Sequence, residues 1–249
     1  MRASTTLVIN TKGGSGKTTV TTNLASYFAS RRIPTAVMDF DPQGSSLAWL
    51  ALRNPQLPRI HGCNAAPQRT GLRSFAMHVP AGTQQLIIDA PAGASGVLLQ
   101  DMLARADAVL IPVASSTIDI RATANFIRDL LLTGPVSPRL RSRSIRLGVI
   151  ANKVRKSMPV YEPLERFLAS LSLPLLARLS DSDAFLKAAE TGQGIFEMDF
   201  SQSYAEREQF LPVAEWVEQG RAGVPQEKVL PFKPLPRVSS VRGDIASPR

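Results

Sequence analysis

One glycine-rich stretch constrains the fold of this chain more than any other feature. Residues 10–19 read Asn-Thr-Lys-Gly-Gly-Ser-Gly-Lys-Thr-Thr, between a short apolar run at 7–9 and an apolar periodic segment at 20–28. This order predicts a loop that joins a buried strand to a helix. Three glycines within four positions let the backbone wrap around an anion, and the following helix adds the positive end of its dipole. The stretch therefore predicts a phosphate-binding loop.

The predicted loop contains two lysines, Lys12 and Lys17. In a loop of this kind Lys17 reaches the β- and γ-phosphates and the Thr18 hydroxyl ligates Mg²⁺. The strict pattern G-x-x-x-x-G-K-[ST] is not met, because Thr11 occupies its first glycine position, and Lys12 lies five residues before Lys17. Residues 12–19, Lys-Gly-Gly-x-Gly-Lys-Thr-Thr, resemble the deviant Walker A box of the ParA/MinD ATPase family, whose signature residue is the early lysine.

Composition narrows the class of protein and its partners. The 249 residues suffice for one sizeable α/β core or for two small domains, and one domain is favoured. The hydrophobic (44%) and charged (20%) fractions are ordinary for a globular protein. A single cysteine, Cys63, excludes an internal disulfide and fits a reducing cytoplasm. The net charge of +9 indicates a polyanionic partner, nucleic acid first and an anionic membrane second, with plain solubility as the alternative.

Apolar runs alternate with helical segments along the chain. Buried strands are predicted at 5–10, 35–40, 85–90, 108–113, 145–151 and 173–179. This rhythm predicts an α/β fold, a single-domain P-loop NTPase with a mostly parallel twisted sheet covered by helices on both faces. Residues 52–83, which prolines interrupt, are the least informative, and a helix is predicted there at 68–78. Later helices are predicted at 164–171, 184–191 and 203–217, with Pro212 kinking or restarting the last one.

Aspartates follow two of the predicted strands. Asp39 and Asp41 end the second strand on the same side of an extended chain, about 7 Å apart, so both can face one metal–phosphate site. Asp89 ends an apolar run, which is a Walker B pattern for supporting Mg²⁺. Residues 39–44 resemble the family's Asp-x-Asp-Pro-Gln-Gly box, although such a run also favours a turn. The resemblance implies that Asp41 orients the attacking water and that Asp39 holds a magnesium-bound water.

A run of positive charge lies further along the chain. Residues 139–156 contain no acid and seven bases, namely Arg139, Arg141, Arg143, Arg146, Lys153, Arg155 and Lys156. A solvated basic loop is the alternative, but the lack of compensating carboxylates favours a phosphate-facing surface. The predicted DNA contacts are Arg139, Arg141, Arg143, Arg155, Lys156 and Lys187. The resemblance implies that Asn152, at a predicted strand end, hydrogen-bonds the adenine ring; otherwise it is a turn residue.

The resemblance covers residues 5–217 and implies an ATPase domain at 1–220. Residues 221–249 are predicted to form a disordered, proline-rich basic tail. MinD-like relatives end in an amphipathic membrane-targeting helix, and four prolines between 225 and 236 argue against one here. Because four residues precede the first strand, we also expect no N-terminal helix-turn-helix domain, and hence no sequence-specific repression.

The site residues implied by the resemblance fall into three groups. Lys12, Lys17 and Asp41 would be catalytic, and Thr18, Asp39 and Asp89 would serve the metal. The bound cofactors would be ATP and Mg²⁺, and the nucleotide would contact Lys12, Gly13, Gly14, Ser15, Gly16, Lys17, Thr18, Thr19 and Asn152.

The implied function is a ParA-type ATPase in the cytoplasm, associated with the nucleoid. Its ATP-bound homodimer would bind non-specific DNA, and a cargo-adaptor protein would stimulate slow hydrolysis. The cargo stays open among plasmids, chromosomes and protein cargoes such as carboxysomes (the McdA branch) or chemoreceptor clusters. Two other functions also stay open: a MinD-like membrane-associated regulator, and a metabolic P-loop enzyme such as a dethiobiotin synthetase-like ligase.

Overall fold

The apolar runs form the strands of one parallel sheet. The computed structural model describes residues 2–66, 78–132, 144–155 and 162–221. Within them the strands are β1 (Ser4–Val8), β2 (Thr35–Asp39), β3 (Ile60–Asn64), β4 (Gln85–Asp89), β5 (Ala108–Ala114), β6 (Arg146–Val154) and β7 (Leu175–Ser180). Their order across the sheet is β3-β2-β4-β1-β5-β6-β7, and every neighbouring pair is parallel. The predicted α/β class and parallel sheet are confirmed.

One strand was not predicted. β3 is an edge strand with the sequence Ile-His-Gly-Cys-Asn, in which only the isoleucine and the cysteine are buried. Its polar residues and glycine hide the apolar run that marks the other strands. The helix predicted at 68–78 lies outside the described residues apart from His78, which is not helical.

Helices cover both faces of the sheet. They are α1 (Lys17–Ser30), α2 (Ser45–Ala51), α3 (Gly96–Arg105), α4 (Thr117–Leu132), α5 (Glu162–Ser170), α6 (Asp183–Glu190) and α7 (Phe200–Arg221). Buried side chains of α3, α4 and α5 pack on one face, and those of α1, α2, α6 and α7 pack on the other. α7 runs through Pro212 as one helix and does not restart there.

The order of the strands sets the place of the site. β1 lies between β4 and β5; the chain leaves β1 through α1 toward β2 on one side, and β5 and β6 follow on the other. Ligands of open parallel sheets bind at the carboxyl ends of the strands where the order reverses in this way. The loop after β1 and the ends of β2 and β4 meet at this edge. The predicted tail lies outside the described residues apart from Arg221, which ends α7.

Candidate nucleotide-binding site

The loop after β1 closes tightly at the start of α1. Gly16 precedes the helix with φ 97°, a left-handed backbone that side-chain-bearing residues rarely adopt. A Cβ at Gly16 would lie 1.8 Å from Nδ2 of Asn152, which itself donates a hydrogen bond of 2.9 Å to the Ser15 carbonyl. Glycine is therefore required here for both conformation and space. Asn152 fastens β6 to the loop, and its contact with adenine stays a prediction.

Asn10 anchors the other end of the loop. Its buried side-chain amide donates to the Pro112 carbonyl at 2.8 Å and to the Thr123 hydroxyl at 2.9 Å. Its Oδ1 accepts from the Lys12 backbone N–H at 3.2 Å. The start of the loop is thus tied to β5 and α4. Asn10 was not predicted as a site residue; the available signal was a polar residue that ends a buried strand.

Lys17 is drawn into the concave side of the loop. Its ammonium donates to the Lys12 carbonyl at 3.1 Å, and the Ser15 hydroxyl donates to the same oxygen at 3.2 Å. Burial lowers the pKa of Lys17, and the carboxylates of Asp89 and Asp41 act in the opposite direction. No atom lies within 4 Å of the Cβ positions of Gly13 and Gly14, so the surface above the loop is open to a ligand.

Asp89 is buried where β4 meets the loop. Its Oδ2 accepts a hydrogen bond of 2.9 Å from the Thr18 hydroxyl and a short one from the Ser46 hydroxyl. Its buried Oδ1 has no hydrogen-bond partner among the described residues. Burial, assisted by the charge of Asp39, raises the pKa of Asp89 to about 6, against the effects of Ser46, Thr18 and Lys17. A carboxylate oxygen is thus left without a donor beside the phosphate loop.

Asp39 organises the segment that leads into α2. One carboxylate oxygen accepts from the Asp41 backbone N–H at 2.9 Å, and the other accepts from those of Ser46 at 3.0 Å and Leu47 at 3.3 Å. Asp39 therefore caps α2 from a neighbouring strand. Burial raises its pKa, and these backbone donors oppose the shift. A bond to a magnesium-bound water stays a prediction, and would have to use the remaining lone pairs.

Asp41 and Ser46 complete the site. Asp41 is partly exposed, and its Oδ1 accepts from the Gln43 backbone N–H at 2.9 Å. Ser46 bonds Asp39 through its backbone and Asp89 through its hydroxyl, so it connects the two buried carboxylates. Ser46 was not predicted as a site residue, because a serine soon after a glycine is common at the start of any helix.

The residues present fit a nucleotide with Mg²⁺. Magnesium prefers oxygen ligands and is usually held by one or two protein oxygens together with substrate phosphates. The unpartnered Oδ1 of Asp89 and the Thr18 hydroxyl are such oxygens. The open glycine loop and the Lys17 ammonium suit phosphates. A bound Mg²⁺ would neutralise phosphate charge, and Thr18 and Asp89 would hold it.

The predicted DNA contacts are only partly described. Arg139, Arg141, Arg143 and Lys156 lie outside the described residues. Lys187 is exposed on α6, and Arg155 is exposed but forms an ion pair of 3.2 Å with Asp181. The expectation that this run lacks compensating carboxylates is therefore wrong at Arg155, because the acid comes from the segment after β7.

Arg146 is half-buried against α7 and does not lie on an open basic surface. Its guanidinium lies 4.1 Å from the centre of the Trp216 ring and donates to the carbonyls of Trp216 at 2.7 Å and Val217 at 3.3 Å. Burial lowers the pKa of Arg146, and the charge of Asp107 acts in the opposite direction. This residue binds β6 to α7, so the basic run loses one of its seven members.

The chain is similar to several known proteins in sequence and in fold. The chain is 23% identical over 203 residues to maintenance of carboxysome distribution protein A of Halothiobacillus neapolitanus, covering 79% of this chain and 88% of that protein. It is 26% identical over 223 residues to the chromosome partitioning protein ParA of Myxococcus xanthus, covering 72% and 78%. The solved structure of a Cyanothece McdA variant in complex with ATP shares the fold, with a TM-score of 0.63 at 16% identity over 90% of this chain and 98% of that one. Residues 6–195 match the CobQ/CobB/MinD/ParA nucleotide binding domain. The chain therefore belongs to this ParA/MinD family of P-loop NTPases.

Proposed function

We propose that this chain is a ParA-type ATPase that dimerises with ATP, binds DNA without sequence preference and positions a cargo. The observation that carries the proposal is the bridge from the phosphate loop to the start of α2 through Thr18, Asp89 and Ser46. These hydrogen bonds connect Thr18 and Asp89 directly to the segment between β2 and α2, which contains Asp41. Such a connection suits a protein whose shape depends on its nucleotide.

Each site residue has a role in hydrolysis under this proposal. Lys17 would exchange the Lys12 carbonyl for phosphate oxygens and offset their charge. Thr18 and Asp89 would hold the metal, while Asp39 keeps Asp41 in place through its backbone N–H. Asp41, partly exposed at the edge of the site, would orient the attacking water. Because no positive side chain beyond Lys12 and Lys17 is proposed for this site, intrinsic turnover is expected to be slow and stimulated by a partner protein.

A second copy of the chain would cover this edge of the sheet. Lys12 is partly exposed in the loop, and under this proposal its ammonium reaches the nucleotide of the facing subunit. Val97 and Ile118, at the starts of α3 and α4, are 83% and 72% exposed at the same edge, on either side of β1. These apolar side chains supply surface that a dimer would bury.

Dimerisation can be measured by size-exclusion chromatography with light scattering, in ATP and Mg²⁺ and in ADP. We expect the wild type to dimerise with ATP, and Lys12→Gln to stay monomeric while still binding nucleotide. Lys187→Gln, which removes an exposed lysine of α6, is the matched control and should dimerise normally. An unchanged dimer in Lys12→Gln would refute the proposed role of Lys12 across the interface.

The positive surplus of the chain supports DNA as the polyanion. The net charge is +9, and two relatives are named for chromosome partition or carboxysome distribution. Removing charge at the candidate contacts should weaken DNA binding and leave nucleotide binding intact; they are Arg139, Arg141, Arg143, Arg155, Lys156 and Lys187. The protein would then act in the cytoplasm on the nucleoid, with an adaptor protein linking it to the cargo.

A membrane partner is the outcome that would replace DNA. No described helix combines the length and apolar character needed to cross a bilayer. Peripheral binding is tested by pelleting with phosphatidylglycerol vesicles in ATP and in ADP. ATP-dependent binding to the vesicles without binding to DNA would overturn the proposal in favour of a MinD-like regulator.

A further inference from the structure

α2 is a short helix that joins the nucleotide site to a loop far along the chain. Its seven residues span about 10 Å. A helix of this length is not stable by itself in water, so its position depends on contacts with other segments. The hydrogen bonds of Ser46 with Asp39 and Asp89 hold its first turn. A separate set of contacts holds its other end.

The loop between α6 and α7 holds the end of α2. The Trp49 indole N–H donates a hydrogen bond of 3.0 Å to the Gln193 carbonyl. The Arg53 guanidinium donates to the Gly192 carbonyl at 3.1 Å and forms a two-point ion pair with Glu197, of which one contact measures 2.8 Å. Both side chains of the ion pair are buried. Trp49, Arg53 and Glu197 together are called the α2 clamp.

The same loop is fastened to α1, the helix that begins at the phosphate loop. The Ile195 backbone N–H donates to Oδ1 of Asn23 on α1 at 2.8 Å. Gly194 lies so close to α1 that a Cβ there would be 1.6 Å from the Ser26 hydroxyl oxygen. The Gly194 N–H also donates to the Glu197 carboxylate at 3.0 Å, which joins this attachment to the α2 clamp. The loop therefore fixes the end of α2 relative to α1.

α1 and α2 are thus joined at two places. Near the nucleotide site, the hydroxyls of Thr18 on α1 and Ser46 on α2 both donate to Asp89. At the other end, Asn23 of α1 and Arg53 after α2 both bind the α6–α7 loop. The two attachments lie near opposite ends of α2, so they fix its direction as well as its position. A single attachment would let the helix pivot.

The turn that carries Asp41 is continuous with α2. The Gly44 N–H donates to the Asp41 carbonyl at 2.9 Å, and the Gly44 carbonyl accepts from the Ala48 N–H at 2.8 Å. A change in the direction of α2 therefore moves Asp41 relative to the phosphate loop. Reacting groups must be placed closely, and an error of about 1 Å can lower a rate about a hundredfold. The direction of α2 is thus important for any group that Asp41 orients.

We propose that Trp49, Arg53 and Glu197 are positioning residues for ATP hydrolysis. The α2 clamp fixes the direction of α2, and α2 in turn places Asp41 relative to phosphates held at Lys17. Nucleotide binding depends on the phosphate loop itself, so the clamp acts on turnover and not on affinity. The clamp has this role only if Asp41 orients the attacking water, as the proposed function states.

Glu197→Gln tests this role, because it removes one charge of the α2 clamp and keeps the size of the side chain. ATP turnover with Mg²⁺ and the affinity for a fluorescent ATP analogue are measured on the full chain, well below the unfolding temperature of each variant. We expect kcat to fall about tenfold and the Kd of the nucleotide to change little. Glu165→Gln is the matched control, since it breaks a partly buried ion pair with Arg178 away from α2, and it should leave kcat unchanged.

The two tryptophans of the chain give a measurement that does not depend on hydrolysis. Trp49 belongs to the α2 clamp, whereas Trp216 lies on α7 against Arg146. In protein labelled with 5-fluorotryptophan, the ¹⁹F resonance that Trp49→Phe removes is that of Trp49. Without nucleotide, Glu197→Gln should shift or broaden the Trp49 resonance and leave that of Trp216 in place. Glu165→Gln should change neither resonance.

Several results would overturn the proposal. An unchanged kcat or an unchanged Trp49 resonance in Glu197→Gln would show that the ion pair does not place α2 for hydrolysis. A fall of kcat with an equal loss of nucleotide affinity, or the same fall in Glu165→Gln, would leave the pair a role in stability alone. A wild type that binds ATP without hydrolysing it would instead overturn the proposed function together with the role of the clamp.

Discussion

Replacing Asp89 with asparagine should stabilise the nucleotide-free protein while removing its response to magnesium nucleotide. The carboxyl is buried, and its pKa is raised from 3.8 to about 6. A shift of about two units costs the ionised form about 3 kcal/mol at neutral pH. Asparagine can still accept from Thr18 and Ser46, but its amide would replace the unpartnered Oδ1 and lose about 1 kcal/mol. The net gain expected for Asp89→Asn near pH 7.5 is about 1 to 2 kcal/mol.

The pH dependence of this gain follows from the direction of the shift. Since the folded pKa is raised, the contribution of Asp89 to wild-type stability is complete below the unfolded pKa of 3.8 and is lost as the pH rises through about 6. The advantage of Asp89→Asn should therefore appear across this range and vanish near about pH 4. Urea unfolding of both proteins at a series of pH values, without nucleotide or magnesium, measures the difference in free energy of unfolding.

The same two proteins are then melted with ATP and Mg²⁺. The melting temperature of the wild type should rise, because the ligand binds only the folded state, whereas that of Asp89→Asn should change little. A variant that is less stable than the wild type near pH 7.5 would refute the reasoning, since the carboxylate would then stabilise the empty site. An undiminished rise of the melting temperature with ATP and Mg²⁺ in Asp89→Asn would show that Asp89 is not needed to bind the metal.

Two further substitutions test buried polar contacts between distant segments of the chain. Asn10→Ala leaves the Pro112 carbonyl and the Thr123 hydroxyl without this donor. It should lower the free energy of unfolding, measured in urea, by about 2 to 4 kcal/mol. Asn54→Ala, at an exposed turn, is the control and should lower the free energy of unfolding by well under about 1.5 kcal/mol. Arg53→Ala breaks the ion pair between Arg53 and Glu197, whose side chains are 6% and 2% exposed. It should lower the free energy of unfolding by about 3 to 5 kcal/mol, as expected of a buried pair. A loss below about 1 kcal/mol, as expected of a surface pair, would contradict this.

The sequence predicted the parts of the site that follow one another along the chain. The phosphate loop, the aspartates at the ends of β2 and β4, and the parallel sheet all come from local patterns of apolar runs, glycines and acids. The sequence did not predict which residues of neighbouring strands lie opposite each other. In the structure Asp39 of β2 lies opposite Asp89 of β4. Local patterns suffice here because parallel strands place their carboxyl ends at one edge.

The residues that were missed act through contacts between distant segments. Ser46 bonds Asp89 across 43 positions, and Asn10 bonds Thr123 across 113. Arg146 was counted as surface charge because its neighbours are basic, but its guanidinium packs against the Trp216 ring on α7. A side chain's partner from another element cannot be read from its own neighbourhood, so these roles required the folded structure.

DNA affinity as a function of salt, with ATP, with ADP and without nucleotide, tests the proposed switch most directly. We expect tight binding with ATP and Mg²⁺ only, and a steep loss of that binding as salt rises, because lysines and arginines displace counterions from the phosphates. Binding that is equal in all three nucleotide states, or absent in all three, would contradict an ATP-controlled DNA-binding function for this chain.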